Sequence, residues 1–356
     1  MKIAITADCH LTSKADHPER IHALEDILQQ VVQQDIQHLI IAGDLFESEH
    51  ATYAEVDELL SKAEFRPIQC YVIPGNHDAN IRGRHFGAEN LHIVHEPASH
   101  KLDPEGPEFL FIPYQSMMSM GEAIEPFRES LNPNQWILIG HGDYMEGLRV
   151  PNPYEDGTYM PLTSQDLQRY QPRRAFLGHI HVPHERGLVH YPGSPCGMDI
   201  NETGRRQFTV FDTNQTSIER RFVNSDFIYF NESFLMLPLD DEPAYIQELA
   251  SSRINSWSLP EELRKKVRLR LKVSGYTRDK KKALKEFKRA FAGYRFLDDA
   301  EPDGADLNLA DDPDRESISA SVRKVIEESD YQSGNDDPSQ DEILLASLKI
   351  IYGDSR

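Results

Sequence analysis

Five short apolar runs lie in the first 180 residues, and each ends at a polar motif whose residue types bind metals. The runs cover residues 3–5, 39–41, 70–73, 137–139 and 175–177. Runs of this kind predict buried strands, and the glycines that end four of them allow sharp turns. Between some strands, apolar residues recur at helical spacing. Alternating strands and helices predict an α/β layered core, whose functional side chains gather at the carboxyl ends of the strands.

The motifs after these runs supply two carboxylates, one amide and four imidazoles. The seven candidate metal ligands are Asp8, His10, Asp44, Asn76, His141, His179 and His181. Each alone could be a turn residue or an ordinary hydrogen-bonded histidine, but five such motifs in this order indicate a shared site. Mixed oxygen and imidazole ligands suit manganese, iron or zinc, and the absence of thiolates argues against a structural zinc site. Such a set matches a dinuclear centre for phosphoester hydrolysis.

The set D-x-H, GD, GNHD, GH and GHIH resembles that of the calcineurin-like metallophosphoesterases, over about residues 1–215. Within this family, the closer resemblance is to the SbcD branch, the nuclease subunits of double-strand-break repair complexes. Three details carry this: Leu11 after His10, the sequence GDLF at 43–46, and a PGSP turn at 192–195. The resemblance implies a layered β-sandwich core flanked by helices, a small α/β capping domain and a C-terminal helical tail.

The resemblance also implies a role for each candidate residue. Asp8, His10 and His181 would hold one divalent metal, and Asn76, His141 and His179 the other, with Asp44 bridging the two. His77 would be the transition-state histidine and Asp78 its orienting partner. Two metal ions, expected to be Mn²⁺, would clamp the phosphate and activate a water molecule.

Two neighbouring residues need separate interpretation. Family nucleases commonly carry a histidine three positions after the GD aspartate, where this chain has Glu47. Cys9 lies between two ligands, and its side chain should point away from them if the segment is extended. We therefore expect a structural role for Cys9 and no second catalytic histidine in the Glu47 loop.

Length and cysteine content set the outer bounds. A chain of 356 residues can bury a sizeable core and is expected to hold two domains and a tail. Its three cysteines form no disulfide framework and favour a reducing compartment. The first residues lead directly into a strand and a ligand motif, and no apolar run approaches 18 residues. We expect a cytoplasmic protein without a membrane segment.

Charge is distributed very unevenly along the chain, whose formal net charge is −21. Residues 264–295 carry 14 basic and two acidic residues, whereas residues 298–356 carry 17 acidic and five basic ones. Phosphate binding normally relies on Lys and Arg, so the basic block is the expected DNA contact. The predicted domains are a nuclease domain at 1–230, a basic capping domain at 231–297, and an acidic linker with helices at 298–356.

The basic block has internal order. Apolar and basic residues alternate over 267–273, which predicts a strand with one basic face. A helix with several lysines follows, and a strand at 234–239 and a helix starting at 241–243 precede it. The candidate DNA-binding residues are Arg268, Arg270, Lys272, Lys280, Lys281 and Lys282. The alternative is a charged face that is merely solvated.

Beyond the basic block, residues 298–316 are rich in Asp, Pro, Gly and Ala and predict a disordered linker. A later apolar stripe contains Leu344, Leu345, Leu348 and Ile351. It could dock on a partner or fold back on its own domain. By resemblance the partner is an SbcC-type coiled-coil ATPase, and a homodimer is expected.

These observations favour a metal-dependent DNA nuclease, with exonuclease and endonuclease activity, as subunit of an SbcCD-like repair and recombination complex. The alternative is a phosphodiesterase acting on small nucleotides through the same metal core. Protein phosphatases of the superfamily usually carry GDxxDRG and GNHE, whereas this chain has GDLFES and GNHD. A metal-free scaffold is disfavoured because the ligand set is complete. The chain lacks a GxxxxGK phosphate loop, so it does not bind ATP in that way.

Overall fold

Two six-stranded sheets form the centre of the chain up to residue 226. The structure is a computed structural model and describes residues 1–48, 53–145, 157–310, 312–329, 331 and 337–353. The strands are β1 (Lys2–Thr6), β2 (His38–Ala42), β3 (Gln69–Ile73), β4 (Leu91–Ile93), β5 (Ala98–Lys101), β6 (Glu108–Ile112), β7 (Trp136–His141), β8 (Tyr144–Met145), β9 (Leu162–Thr163), β10 (Arg174–Gly178), β11 (His184–Arg186), β12 (Val189–Tyr191), β13 (Gln207–Asp212) and β14 (Ser217–Phe222).

The strand orders explain how both sheets contribute to one site. The first sheet has the order β14-β13-β1-β2-β3-β4 and the second β11-β12-β10-β7-β6-β5, while β8 pairs with β9. Strands β1 to β4 are parallel, as are β6, β7, β10 and β12. All five predicted strands lie within this set, as β1, β2, β3, β7 and β10.

Helices cover the outer face of each sheet. They are α1 (Pro18–Gln33), α2 (Tyr53–Leu60), α3 (Met120–Ile124) and α4 (Ser164–Tyr170). Because side chains alternate along a strand, Ile3 and Ile5 pack against Phe109 between the sheets, while Ala4 packs with Leu24 of α1. A separate core joins the second sheet to α3 and α4. The result is a helix–sheet–sheet–helix sandwich, which confirms the predicted fold class.

The chain divides into two compact units. The first comprises Met1–Met198 and Arg205–Asp226, and the second Asp199–Gly204 and Phe227–Arg356. The second unit contains β15 (Ile228–Met236), β16 (Val267–Thr277), β17 (Arg295–Phe296) and β18 (Leu307–Leu309), together with α5 (Glu242–Ser256), α6 (Lys280–Ala290), α7 (Pro313–Glu327) and α8 (Gln340–Tyr352). Its sheet is parallel, with β16 paired to each of the other three strands.

The alternation predicted for residues 267–273 is present in β16. Val267, Leu269, Leu271 and Val273 are almost fully buried and pack with Phe287 of α6. The intervening residues point to the opposite face, where Arg270 and Lys272 are exposed and Arg268 is half-buried. The prediction of a strand with one apolar and one basic face is therefore confirmed.

The prediction of a disordered linker at 298–316 is wrong for the described part of that segment. Strand β18 pairs with the end of β16, and Leu307 and Ala310 are buried. The carbonyl of Asp303 accepts a hydrogen bond from the Val273 amide at 2.7 Å, and Asp306 forms an ion pair with Lys272 at 2.8 Å. Asp306 therefore neutralises a basic residue of β16, and the segment adds a strand to the sheet.

The last helix packs against its own unit. Leu344 and Leu348 of α8 are buried with Leu237, Tyr276 and Ala310. Leu345 and Ile351 are half-buried. The apolar stripe therefore packs against its own unit, which was one of the two alternatives that the sequence left open. None of the helices in the described ranges is long and apolar enough to cross a membrane.

Candidate metal centre

The seven candidate ligands lie at the carboxyl ends of five parallel strands. Asp8 and His10 follow β1, Asp44 follows β2, Asn76 follows β3, His141 ends β7, and His179 and His181 follow β10. Four of them have a positive φ: Asp8 at 54°, His10 at 46°, Asp44 at 50° and His179 at 96°. Left-handed backbone is costly for residues with a Cβ, and it concentrates at functional sites where surrounding structure enforces it.

Glycines let the motif loops approach one another closely. A Cβ on Gly75 would lie 2.1 Å from Oδ1 of Asp44, and one on Gly43 would lie 2.0 Å from Nδ1 of His141. Gly43 also has a φ of +96°. No larger residue fits at either position without displacing a candidate ligand, so these glycines position the ligands.

Asp8, His10 and His181 form one group that could hold a metal ion, with their ligand atoms within 4.8 Å of one another. The Nε2 atoms of His10 and His181 lie 3.1 Å apart. Oδ1 of Asp8 accepts a hydrogen bond from the His179 amide at 2.8 Å, whereas Oδ2 is buried with no hydrogen-bond partner among the described residues. An unpaired carboxylate oxygen beside two imidazole nitrogens fits a bound cation.

Asp44, His141 and Asn76 converge beside this group. Nδ1 of His141 donates to the carbonyl of Ala42 at 2.9 Å, so in the neutral ring Nε2 carries a lone pair. Nε2 lies 2.8 Å from Oδ1 of Asn76 and 3.2 Å from Oδ2 of Asp44. Asp8 and Asp44 also form a possible metal-binding group with His141. Nε2 of His141, Oδ1 of Asn76 and Oδ2 of Asp44 therefore face one another. Nitrogen and oxygen donors of this kind can bind a divalent cation.

The acids give this pocket a strong negative field. Burial lowers the pKa of His141, but the neighbouring charge of Asp44 and its contact with the ring outweigh burial and raise that pKa to about 10. Burial opposes ionisation of Asp44, yet His141 holds the pKa of Asp44 below its usual value. Burial raises the pKa of Asp8. A field that attracts a proton this strongly also attracts a metal cation.

His179 completes the set at the other side of His141. Their ring centroids lie 5.6 Å apart, and Nε2 of His179 lies 3.8 Å from Oδ1 of Asp143. Sequence reasoning missed Asp143, which is buried and accepts a hydrogen bond from the Tyr159 amide at 2.8 Å. The feature that could have indicated it is its position, two residues after the candidate ligand His141. The structure thus brings all seven candidate ligands to one edge of the sandwich.

His77 lies at the rim of the cluster, with its side chain 28% exposed. Its ring centroid is 4.6 Å from that of His10, and its amide donates to Oδ1 of Asp44 at 2.9 Å. His10, Asp44 and His77 also form a group with metal-binding geometry. His77 is therefore close enough to act on a group bound at the cluster.

Asp78 does not orient His77 in the structure, contrary to the prediction. Its carboxylate accepts hydrogen bonds from the amides of Gly75, at 2.7 Å, and Phe46, at 3.1 Å. Burial, and then the charge of Asp44, raise the pKa of Asp78 to about 7. These bonds tie the loop after β3 to the loop after β2. Asp78 thus positions the backbone on both sides of the cluster.

Cys9 is buried in the hydrophobic core beneath α1, as expected for a structural residue. The premise of an extended segment is wrong, because both neighbours of Cys9 have left-handed backbone. Burial raises the pKa of the Cys9 thiol well above its usual value, so the thiolate is disfavoured. Because its side chain packs in the core beneath α1, Cys9 is not assigned to the ligand set.

The six candidate DNA-binding residues all lie in the second unit. Arg268, Arg270 and Lys272 are on β16, and Lys280, Lys281 and Lys282 form the first turn of α6. Arg268 lies over the ring of Phe227, with its guanidinium carbon 4.5 Å from the ring centroid. The solvent-facing side of β16 and the first turn of α6 are thus both basic.

The chain was compared with protein families and with known proteins. The family model for calcineurin-like phosphoesterases matches residues 1–205. The chain is similar to a solved archaeal phosphodiesterase, with 15% identity and a TM-score of 0.34, over 63% of this chain and 100% of that one. It is also similar to the protein TT1561 of Thermus thermophilus, with 13% identity and a TM-score of 0.40, over 63% and 99%. No curated protein is similar enough in sequence to match. The chain belongs to the calcineurin-like phosphoesterase family.

Proposed function

We propose that this phosphoesterase is a metal-dependent nuclease that hydrolyses the phosphodiester bonds of DNA. The observation that carries the proposal is the basic, solvent-facing side of β16, which occurs in a chain whose net charge is −21. A phosphoesterase for small nucleotides has no need of such a face. A DNA enzyme does, because lysine and arginine supply most of the affinity for a phosphate backbone.

Each residue of the proposed site has either a metal-binding or a catalytic role. Asp8, His10 and His181 would hold one metal ion, and Asn76, His141 and His179 a second, with Asp44 shared. Two divalent ions held there, proposed to be Mn²⁺, would supply charge that polarises the phosphate and activates water. The amide of His77 donates a hydrogen bond to Oδ1 of Asp44, and the partly exposed His77 ring would donate a proton to the leaving oxygen.

The helix start strengthens the case for anion binding. Asp279 caps α6 by accepting a hydrogen bond from the Lys282 amide at 3.0 Å. Lys280, Lys281 and Lys282 then fill the first turn, where the helix dipole is already positive and acidic residues stabilise a helix. Three lysines there weaken the helix, which favours a role in binding phosphate over a role in folding. Lys272, in contrast, is partly neutralised by its pair with Asp306.

The test is a salt titration of DNA affinity with matched variants. Lys280→Ser, Lys281→Ser and Lys282→Ser are combined in one variant, and Lys2→Ser, Lys62→Ser and Lys101→Ser of the first unit in a control with the same change of charge. We expect the first variant to lose affinity for all sequences alike and to flatten the slope against log salt, by about 0.9 for each lost contact to duplex DNA. An unchanged affinity and slope would make the lysines merely solvated.

Substrate preference separates the proposal from its rival. Labelled single- and double-stranded DNA are digested with Mn²⁺ beside bis-p-nitrophenyl phosphate and a small cyclic nucleotide. Cleavage of DNA is expected, and the Lys280–Lys282 variant should keep hydrolysis of the small esters while losing DNA cleavage. Turnover of the small nucleotide without DNA cleavage would instead establish the small-nucleotide phosphodiesterase.

We further propose that the C-terminal helices bind an SbcC-type coiled-coil ATPase. The support is an exposed apolar side of α7, where Ile318 and Val325 are 53% and 70% exposed. They are seven positions apart, which places them on one face of the helix. Ile318→Asp with Val325→Asp should abolish co-purification with that ATPase and leave hydrolysis of bis-p-nitrophenyl phosphate unchanged. The homodimer stays a prediction, and sedimentation of the full chain would measure the oligomeric state.

A further inference from the structure

Glu47 occupies the position where resemblance led us to expect a histidine, and its carboxylate lies among three residues of the site. Oε2 of Glu47 lies 2.8 Å from Nη1 of Arg20 and 3.3 Å from Nδ1 of His10. Nδ1 of His77 lies 3.7 Å from Oε1 and 3.3 Å from the backbone carbonyl of the same residue. One residue thus contacts both a candidate metal ligand and the proposed transition-state histidine.

Arg20 binds the Glu47 carboxylate from helix α1. It extends from the core-facing side of α1 and is only 8% exposed. Its Nη1 donates to the backbone carbonyl of His10 at 2.6 Å as well as to Glu47 at 2.8 Å. A buried guanidinium that binds both groups fixes Glu47 relative to His10 far better than an exposed ion pair would.

The contact also determines which nitrogen of His10 faces the cluster. Nδ1 of His10 lies 3.3 Å from the Glu47 carboxylate and has no other hydrogen-bond partner among the described residues. Because an ionised carboxylate can only accept hydrogen bonds, this contact favours the tautomer with the proton on Nδ1. Nε2 is then left with its lone pair, and it lies 3.1 Å from Nε2 of His181. Metal-binding histidines commonly give their second N–H to a carboxylate, which fixes the ring and increases its basicity.

We propose that Glu47, held by Arg20, is a positioning residue that orients His10 for metal binding and His77 for catalysis. The proposal rests on the metal-dependent hydrolysis proposed above. It gives a role to the loop after β2, in which this chain has Glu47. Glu47 contacts Arg20 and the two imidazole rings of His10 and His77. Its effect passes through two imidazole rings, so it should alter metal affinity and turnover separately.

Calorimetric titration of Mn²⁺ into the metal-free full chain tests the first effect. The variants are Glu47→Ala, Glu47→Gln and Arg20→Lys, and the control is Glu58→Gln, whose carboxylate is 75% exposed and lies 3.9 Å from Lys14. We expect Glu47→Ala to weaken one of two Mn²⁺ sites about 10–100-fold and leave the other unchanged. Glu47→Gln, which keeps an accepting oxygen, should lose less, and the control should match the wild type.

Steady-state kinetics test the effect on His77. At saturating Mn²⁺, Glu47→Ala should lower kcat for bis-p-nitrophenyl phosphate and leave KM nearly unchanged, because substrate binding does not require the orientation of His77. Thermal unfolding of the metal-free variants establishes that each one folds. Arg20→Lys should give the same pattern more weakly, since lysine keeps the charge and loses the planar geometry.

Two outcomes overturn the inference. Unchanged affinity at both Mn²⁺ sites together with an unchanged kcat in folded Glu47→Ala would make Glu47 an ordinary surface acid. Equal loss at both sites would mean that Glu47 supports the whole cluster and does not act through His10. Failure of the proposed function looks different: the wild type itself would then bind no Mn²⁺ or leave the ester intact.

Discussion

Replacement of Gly75 by alanine tests how tightly the loop after β3 supports Asp44. The added carbon would lie 2.1 Å from Oδ1 of Asp44, 2.5 Å from its amide nitrogen and 2.6 Å from its Cγ, whereas ordinary contact begins at 3.4 Å. Asp44 is 1% exposed and has left-handed backbone, so it has no free space to move into. Overpacking of this kind costs about 1–3 kcal/mol of unfolding free energy.

The effect on metal binding should exceed the effect on stability. Asp44 is the ligand proposed to be shared, so its displacement affects both metal ions at once. We expect Mn²⁺ affinity to fall at both sites by about 100-fold, the upper end of the roughly 10–100-fold loss that follows removal of residues that support ligands. Calorimetric Mn²⁺ titration measures the affinity, and urea unfolding of the metal-free protein measures the stability.

Gly83→Ala is the matched control, because a Cβ there would meet nothing within 4 Å. It should bind Mn²⁺ and unfold like the wild type. If Gly75→Ala also binds two Mn²⁺ ions with wild-type affinity, the close packing of Gly75 on Asp44 does not support the metal centre, and the geometric argument fails.

Three further predictions follow from single residues. Asp44→Ala should lose both metal ions in elemental analysis, since the carboxylate is shared, and full occupancy would contradict the bridge. His77→Asn should keep metal and DNA binding but slow cleavage about 10²–10⁴-fold in single-turnover assays, and a near-wild-type rate would remove its catalytic role. Burial lowers the pKa of His190 from 6.5 to about 4, so the unfolded chain takes up a proton first as the pH falls. Unfolding free energy should therefore drop by roughly 3 kcal/mol between pH 6.5 and 4, and urea unfolding of His190→Gln should lack this part of the pH dependence.

The sequence allowed prediction of the sandwich because its signals are local. Each buried strand of the parallel sheets is a continuous apolar run, and parallel strands end at a common edge. The ligands after β1, β2 and β3 could therefore be expected to meet before any contact was known. The alternation along β16 could also be predicted, because every second residue from Val267 to Val273 is buried and the residues between them are not.

The start of β15 could not be read in the same way. The predicted strand covered 234–239, whereas β15 spans Ile228–Met236. Glu232 interrupts the apolar alternation, yet it is buried because Arg253 and the indole N–H of Trp257 bind its carboxylate. A buried acid is tolerable only with such partners, and they lie more than twenty residues away in the sequence.

Long-range pairs also hid parts of the candidate site. Arg20 and Glu47 are 27 residues apart, and Arg20 lies outside the ligand motifs. The signal for Arg20 was a charged residue on the apolar stripe of α1, in register with Leu24 and Ile27. The role of Asp78 was misjudged because proximity in sequence to His77 does not fix the direction of a side chain.

The central claim is a dinuclear metal centre shared by Asp44, and anomalous diffraction tests it most directly. Crystals of the full chain grown with Mn²⁺ are measured at the manganese absorption edge. The account predicts two anomalous peaks about 3.5–4 Å apart, both in contact with the Asp44 carboxylate, with His10 and His141 on different ions. A single peak, or peaks that do not share Asp44, would contradict it.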